Sequence, residues 1–300
     1  MVRKIVECVP NFSEGKDQRV IDAIQLEITS VPGITVLSTL ADPDHNRLDV
    51  SYLGEPEPVK NAAFAACKKA AELIDMEKHR GQHPRMGATD VIPFIPIQNV
   101  SMDECVQYAN DVGRKIGDEL GIPVYLYESA ARMPERKNLA DVRRGEYEGI
   151  KADFSSNPAR RPDYGPSVMH PSAGFTAVGA RMPLVAFNVN LATTDVSVAK
   201  AIAKAVREKD GGLKHVKAMG FEIKERGVVQ VSMNLVNYVE TPVFKAFEAV
   251  KAEAQKHGVS IVESEIVGMV PLQALVDTST FYLQLAQFKS DQVIEARLIE

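Results

Sequence analysis

Between residues 79 and 90 the chain reads His79-Arg-Gly-Gln-His83-Pro-Arg85-Met-Gly87-Ala-Thr-Asp90, with two histidines, two arginines, two glycines and a proline in a dozen residues. Gly81 and Pro84 forbid a helix, so this stretch is a tight loop. It runs directly into an apolar, β-rich segment, Val91–Ile97. Loops at strand ends are where catalytic side chains tend to sit, and histidine is the natural proton-transfer group at neutral pH. Three readings stand side by side. In one, His83 is a general acid and base. In another, His79 and His83 are metal ligands at a spacing of four, although Gly81 removes the helix that spacing needs and no His-Glu-x-x-His occurs. In the third, both are structural histidines bonded to backbone.

Other segments carry quieter chemistry. His45-Asn46-Arg47 lies in a polar turn, where Asp42, Pro43, Asp44 and Asn46 are ordinary turn formers; Asn46 and Arg47 serve equally well as polar groups facing a site. In Phe187-Asn-Val-Asn-Leu191 and Val229-Gln-Val-Ser-Met-Asn-Leu235, alternation sends the apolar side chains to one face. Asn188, Asn190, Gln230, Ser232 and Asn234 fall on the other. Uncharged amides on both strands fit a semi-buried polar surface, used either by a ligand with mixed donor and acceptor edges or by another sheet. Asp163-Tyr-Gly-Pro-Ser-Val-Met-His-Pro-Ser-Ala-Gly174 can offer backbone amides and hydroxyls to a ligand, or serve as a hinge. It is not a phosphate-binding P-loop, and no Gly-x-Ser-x-Gly elbow of a hydrolase occurs.

The elements that must position these groups are readable. Lys4–Val9 is a short strand ended by Pro10. A helix with Val20, Ile21, Ile24 and Ile28 inward ends at Pro32-Gly33, and strands follow at Ile34–Leu40 and Arg47–Leu53. Pro58 opens a helix with Val59, Ala62, Ala63, Ala66, Cys67, Ala70 and Ile74 on one face. Ser101-x-x-Glu104 is a capping box for a helix with Val106, Ala109, Val112, Ile116 and Leu120 inward. Gly121-Ile-Pro123 stops it before strand Val124–Tyr127. Residues 130–181 hold seven arginines (132, 136, 143, 144, 160, 161 and 181) and no long periodic pattern; such a tract is usually functional or a linker. After it come strand Leu184–Leu191, helix Asp195–Glu208, strands Ala218–Glu225 and Val228–Val236, helix Thr241–His257, strand Ser260–Val267 and helix Leu272–Leu285. The β-α-β-β-α-β order is that of a split βαβ, ferredoxin-like unit. The first half opens with a related order and extra elements, with no sequence repeat between the halves.

A chain of 300 residues predicts about two domains, and we place the boundary near residue 180, giving 1–180 and 181–300. The fold class is α+β: two ferredoxin-like-related α/β subdomains with helices on their outer faces and a ligand cleft between them. Composition is that of a globular protein, with 45% hydrophobic and 25% charged residues and no tryptophan. The net charge of −5 argues against a duplex nucleic-acid binder. Cys8, Cys67 and Cys105 are odd in number and irregularly spaced, so neither a disulfide framework nor a thiolate zinc site is read. Free thiols, the absence of a signal peptide and the absence of a long apolar run predict a cytoplasmic protein with no membrane partner.

The motifs together resemble the glutamate formimidoyltransferase family, whose formiminotransferase domain occurs alone or fused to a cyclodeaminase. The resemblance rests on Val6-Glu-Cys-Val-Pro-Asn-Phe-Ser-Glu-Gly15, Asn46-Arg47, His79-x-Gly-x-His-Pro-Arg-Met-Gly87, Asp103-Glu-Cys105 and Val124-Tyr-Leu-Tyr127. It also rests on Pro162-Asp-Tyr-Gly-Pro166, Ala186-Phe-Asn-Val-Asn-Leu191 and Gln230-Val-Ser-x-Asn234. These run in order along nearly the whole chain, as expected of a stand-alone form.

What the resemblance implies is a transfer of the formimino group from N-formimino-L-glutamate to N5 of tetrahydrofolate, by a homodimer with folate bound between its subdomains. Tetrahydrofolate is then a co-substrate, and no metal is needed. The family's catalytic histidine falls on His83. Its folate-binding stretch falls on Gly165, Pro166, Ser167, Val168, Met169, His170, Pro171, Ser172, Ala173 and Gly174. We add Arg85 as a carboxylate partner and Asn46, Asn190 and Asn234 as amide partners. The arginine-rich tract is a candidate dock for an acidic folate tail. Two departures stand out: Ile150–Arg161 lacks the tryptophan of many relatives, and His170 replaces an apolar residue of the animal forms. The alternatives are formyl transfer between 5-formyltetrahydrofolate and glutamate, a folate-binding protein without turnover, and metal-dependent hydrolysis.

Overall fold

The strand-forming runs read from the sequence build two sheets, with one strand, Thr176–Ala180, that the sequence does not show. The structure is a computed structural model that describes residues 3–298. It divides into two compact units, Met1–Arg181 and Met182–Glu300.

In the first unit Pro10 interrupts an opening strand, leaving β1 (Ile5–Cys8) and a two-residue continuation β2 (Asn11–Phe12). Both pieces pair antiparallel with β4 (Arg47–Gly54) on one side and β5 (Thr89–Gln98) on the other. β3 (Thr35–Asp42) is the other neighbour of β4. β5 then continues the sheet in parallel to β7 (Thr176–Ala180), and β7 to β6 (Val124–Glu128). β5 is buried from Thr89 to Ile95, which is why it reads as a continuous apolar run and not an alternating one.

Three helices cover one face: α1 (Gln18–Thr29), α2 (Pro56–Leu73) and α3 (Met102–Leu120). α1 buries Ile21, Ile24 and Ile28, and α2 buries the predicted alanine-rich stripe, beginning at Pro56, two residues before the expected Pro58. The Ser101–Glu104 capping box forms in full. Among the predicted inward residues of α3, Ala109, Val112 and Ile116 are buried. Val106 and Leu120 are only partly buried, packed against the core edge.

The arginine-rich tract is more ordered than its sequence shows. It folds into α4 (Leu139–Val142) and α5 (Glu146–Asp153), then enters β7. Val142 and Ile150 from these helices close a second small core with Met86, Val91, Tyr125, Tyr127, Phe175 and Ala177. Four of its arginines pair with acids, and of these only Arg136 is buried. Arg136 pairs with Asp163 at 2.6 Å, Arg143 with Asp90, Arg144 with Asp141, and Arg160 with Asp153 at 3.2 Å. Arg132 stacks over the Tyr164 ring. The tract is thus braced by its own ion pairs.

The second unit follows the predicted order: β8 (Val185–Leu191), α6 (Val196–Val206), β9 (Val216–Ile223), β10 (Val228–Leu235), α7 (Val243–Lys256), β11 (Ile261–Val267) and α8 (Leu272–Leu283). The antiparallel sheet runs β11-β8-β10-β9. In the first unit β5, β1, β4 and β3 stand in the same relation, each set running fourth, first, third and second in chain order across its sheet. In the second unit α6 and α7 bury the apolar face in one core with Val189, Leu191, Val229 and Val231.

Candidate active site

His83 sits on a segment that is neither helix nor strand, half-buried, just before β5. What surrounds it is cationic. Burial first, then the guanidiniums of Arg47 and Arg143, push its imidazole down to about 3, and Asp42 only partly opposes them. His83 is therefore neutral at pH 7, the form that accepts a proton. The flanking arginines are themselves anchored: Arg47 to Asp49 on β4, and Arg143 to Asp90 at the head of β5. Asp90 is buried, and its other oxygen accepts the Met86 amide at 2.9 Å. Its carboxyl is raised by that burial, with Arg143 pulling the other way.

The two histidines of the loop separate cleanly. His79 is buried, and its Nε2 lies 3.1 Å from the Asn46 carbonyl oxygen, which can only accept. Nε2 therefore carries the proton. Nδ1 accepts from Nε of Arg85 at 3.3 Å. With both nitrogens engaged inside the protein, His79 is a neutral structural group, the third of the readings above. Among the described residues no group of three or more histidine, cysteine or acidic side chains is arranged to hold a metal ion.

Asn46 adopts a left-handed φ of 51°. Its Oδ1 accepts the Gly15 amide at 2.9 Å, and its Nδ2 donates to the Arg80 carbonyl at 2.9 Å. Its amide ties three backbone segments together beside the loop. Arg85 is also engaged internally: it forks the Glu148 carboxylate at 2.8 and 2.7 Å and reaches Glu146 at 3.1 Å.

The glycine- and proline-rich stretch joins the same region through main chain. Ala88 donates to the Ala173 carbonyl at 2.9 Å, Phe175 to Met86 at 3.1 Å, and Met76 to Ser172 at 2.8 Å. Gly87 and Gly174 form a β-bridge. A side chain on Gly87 would overlap the Phe175 carbonyl oxygen, so this contact requires glycine. His170 folds back on the stretch, its Nδ1 accepting from Ala173 at 3.0 Å and Ser172 at 3.4 Å. Ser172, Ala173 and Gly174 are thus fixed to the His83 loop, and Met169 packs partly buried against the core. Gly165, Pro166, Ser167 and Val168 are exposed, Val168 at 72%, and Pro171 is exposed with them. Gly165 takes a φ of 83° where the chain passes close to α3.

Asn190 and Asn234 belong to the second unit. The strand register puts Asn188, Asn190, Gln230, Ser232 and Asn234 on the face opposite the helices, with Glu263 and Glu265. Asn190 donates to Glu263 at 2.9 Å and accepts from Gln230 at 3.0 Å, while Asn234 is exposed. The alternation is as expected; the two glutamates on it were not foreseen. Arg143, Asp90, Glu146 and Glu148 were likewise missed as neighbours of the loop. Asp90, an acid at the head of a buried strand, carried a signal in sequence; the α5 glutamates did not.

The molecule is thus two α/β units, the first of which carries a half-buried histidine flanked by Arg47 and Arg143, on a loop tied to a glycine-rich segment. The family model described as formiminotransferase domain, N-terminal subdomain, matches residues 5–181, and that of the formiminotransferase domain matches residues 186–299. The chain belongs to the formiminotransferase family. It is 47% identical to a glutamate formimidoyltransferase of Streptococcus pyogenes serotype M1, over 99% of each chain. It is 48% identical to one of Thermoplasma acidophilum, over 98% of this chain and 97% of that one. A formimidoyltransferase-cyclodeaminase of Rattus norvegicus is 45% identical over 93% of this chain, which spans 52% of that longer protein.

Proposed function

We propose that this chain transfers the formimino group of N-formimino-L-glutamate to N5 of tetrahydrofolate and releases glutamate. The observation that carries the reading is identity near one half to glutamate formimidoyltransferases over essentially the whole length of each chain. Tetrahydrofolate enters as co-substrate. The shared strand relation of the two sheets supports a ferredoxin-like description of both units. We carry forward the homodimer implied by the family. A cytoplasmic location agrees with three buried, unpaired cysteines; no described helix is long and apolar enough to cross a membrane.

The chemistry follows from the groups around His83. N5 attacks the amidine carbon, a tetrahedral intermediate forms, and the glutamate nitrogen leaves. N5 loses a proton and the leaving nitrogen gains one. His83 starts neutral and takes the first proton. Its cationic neighbours then make the imidazolium a strong acid, which passes the proton to the leaving nitrogen. Without ligand those neighbours hold the histidine too low to be a good base. A substrate carboxylate beside Arg47 and Arg143 offsets their charge and lifts it, so binding and basicity are coupled.

For the folate we assign Gly165 to Gly174, whose exposed first half leaves backbone and the Val168 side chain accessible. Asn46 serves by fixing the loop. The test is product analysis. Tetrahydrofolate is supplied with formiminoglutamate or with formylglutamate, and the folate spectrum and released glutamate are followed. Turnover with formiminoglutamate supports the reading, turnover with formylglutamate alone replaces it by formyl transfer, and folate binding without turnover on either removes the enzyme reading.

A further inference from the structure

The loop that carries His83 is pinned at both ends by one continuous set of bonds, and Arg85 is its centre. On the far side Arg85 forks Glu148 and touches Glu146, both in the first half of α5. Its backbone carbonyl accepts the Tyr147 amide at 2.8 Å. On the near side its Nε donates to His79, His79 donates to the Asn46 carbonyl, and the Asn46 amide holds Gly15 and Arg80. Residues 81–84, between these anchors, have no regular structure. The bonds run from α5 through Arg85 and His79 to the turn that begins β4, so they fix the distance between the loop's two ends and hence the reach of His83.

We propose that Arg85 is a positioning residue, acting through His79 and the α5 carboxylates to hold the His83 loop and not itself binding a substrate carboxylate. This rests on the reading of His83 as the proton carrier. The geometry favours it over the carboxylate-clamp role that its sequence context first suggests. The guanidinium is buried, both of its terminal nitrogens are on Glu148, and its Nε–H is on His79. A substrate carboxylate gains this fork only by displacing Glu148. The Glu148 carboxyl, held down to about 2 by Arg85, stays ionised and competes for it throughout the working pH range.

The two roles predict opposite effects of removing the competitor. We would measure kcat and the KM for formiminoglutamate in the wild type, in E146Q/E148Q, in R85Q and R85K, and in H83Q beside them. A positioning role predicts that E146Q/E148Q and R85Q lower kcat on the order of 10²-fold, as a small misplacement of a catalytic group does. KM stays within about twofold, and R85K does not rescue, because a single ammonium cannot make the fork and reach His79. Nitrogen-15 histidine NMR should find His79 as the Nε2–H tautomer in the wild type and a tautomer mixture in R85Q. A clamp role predicts instead that E146Q/E148Q lowers KM by freeing Arg85, and that R85Q raises KM with kcat kept. Either result, or an unchanged kcat in E146Q/E148Q, overturns the proposal. Should R85Q fail to fold, E146Q/E148Q decides alone, since both carboxylates lie at the surface. If H83Q is inactive while the Arg85 and glutamate variants behave as wild type, only the positioning role is lost. If H83Q keeps full turnover, the proton-transfer reading falls with it.

Discussion

His83 is kept neutral by burial and by two guanidiniums, and the same fact has a consequence for stability. Its native pKa of about 3 lies below the ordinary 6.5. Between those values the unfolded chain binds a proton that the native protein does not, so stability falls as pH drops from 6.5 toward 3. H83Q removes this proton uptake. We expect its acid-unfolding midpoint, followed by far-UV circular dichroism because the chain lacks tryptophan, to lie at lower pH than that of the wild type. Coincident midpoints would mean the histidine is not held neutral. The sequence offered acid/base, metal and structural roles for the two histidines and could not choose. The choice for His79 needed Asn46 and Arg85, 33 and 6 residues away. Its chemistry was legible, its partners were not.

The elements were legible wherever one face is buried and the other is not. The stripe of α2, the Ser101 capping box and the alternation of β10 follow from periodicity and cap chemistry alone. β7 escaped because five consecutive buried residues of small size have no alternation to read. α5 escaped because only Tyr147 and Ile150 face the core, too few for a helical period. Both matter to the site: α5 anchors Arg85, and the segment before β7 docks on Gly87. We predict that G87A, which forces a methyl group into the Phe175 carbonyl, destabilises the protein by about 1–3 kcal/mol or more. Urea denaturation should report it as a lower midpoint with an unchanged slope, accompanied by weaker folate binding because Ser172–Gly174 lose their seat. A midpoint equal to that of the wild type would show that the segment shifts freely and that the bridge does not set its place.

Over the whole molecule, a two-part α+β chain was readable from element order, and so was the strand sequence of its second sheet. The net charge of −5 proved a poor guide to local electrostatics. The arginines that looked like a docking patch mostly neutralise acids within the tract or at the head of β5, while the positive field that matters comes from Arg47 and Arg143 at one histidine. One consequence is tested by salt. If the tract is internally paired, raising ionic strength should weaken folate binding equally in R144Q and in the wild type, whereas a charge dock for an acidic tail would make the wild type the more salt-sensitive of the two.

The most direct test of the account is a comparison of wild type and H83Q in one assay, with tetrahydrofolate and formiminoglutamate supplied and glutamate release followed. We predict steady turnover by the wild type and a loss on the order of 10²- to 10⁴-fold in H83Q, with folate affinity retained. Turnover by H83Q within about twofold of the wild type would contradict the assignment of proton transfer to His83.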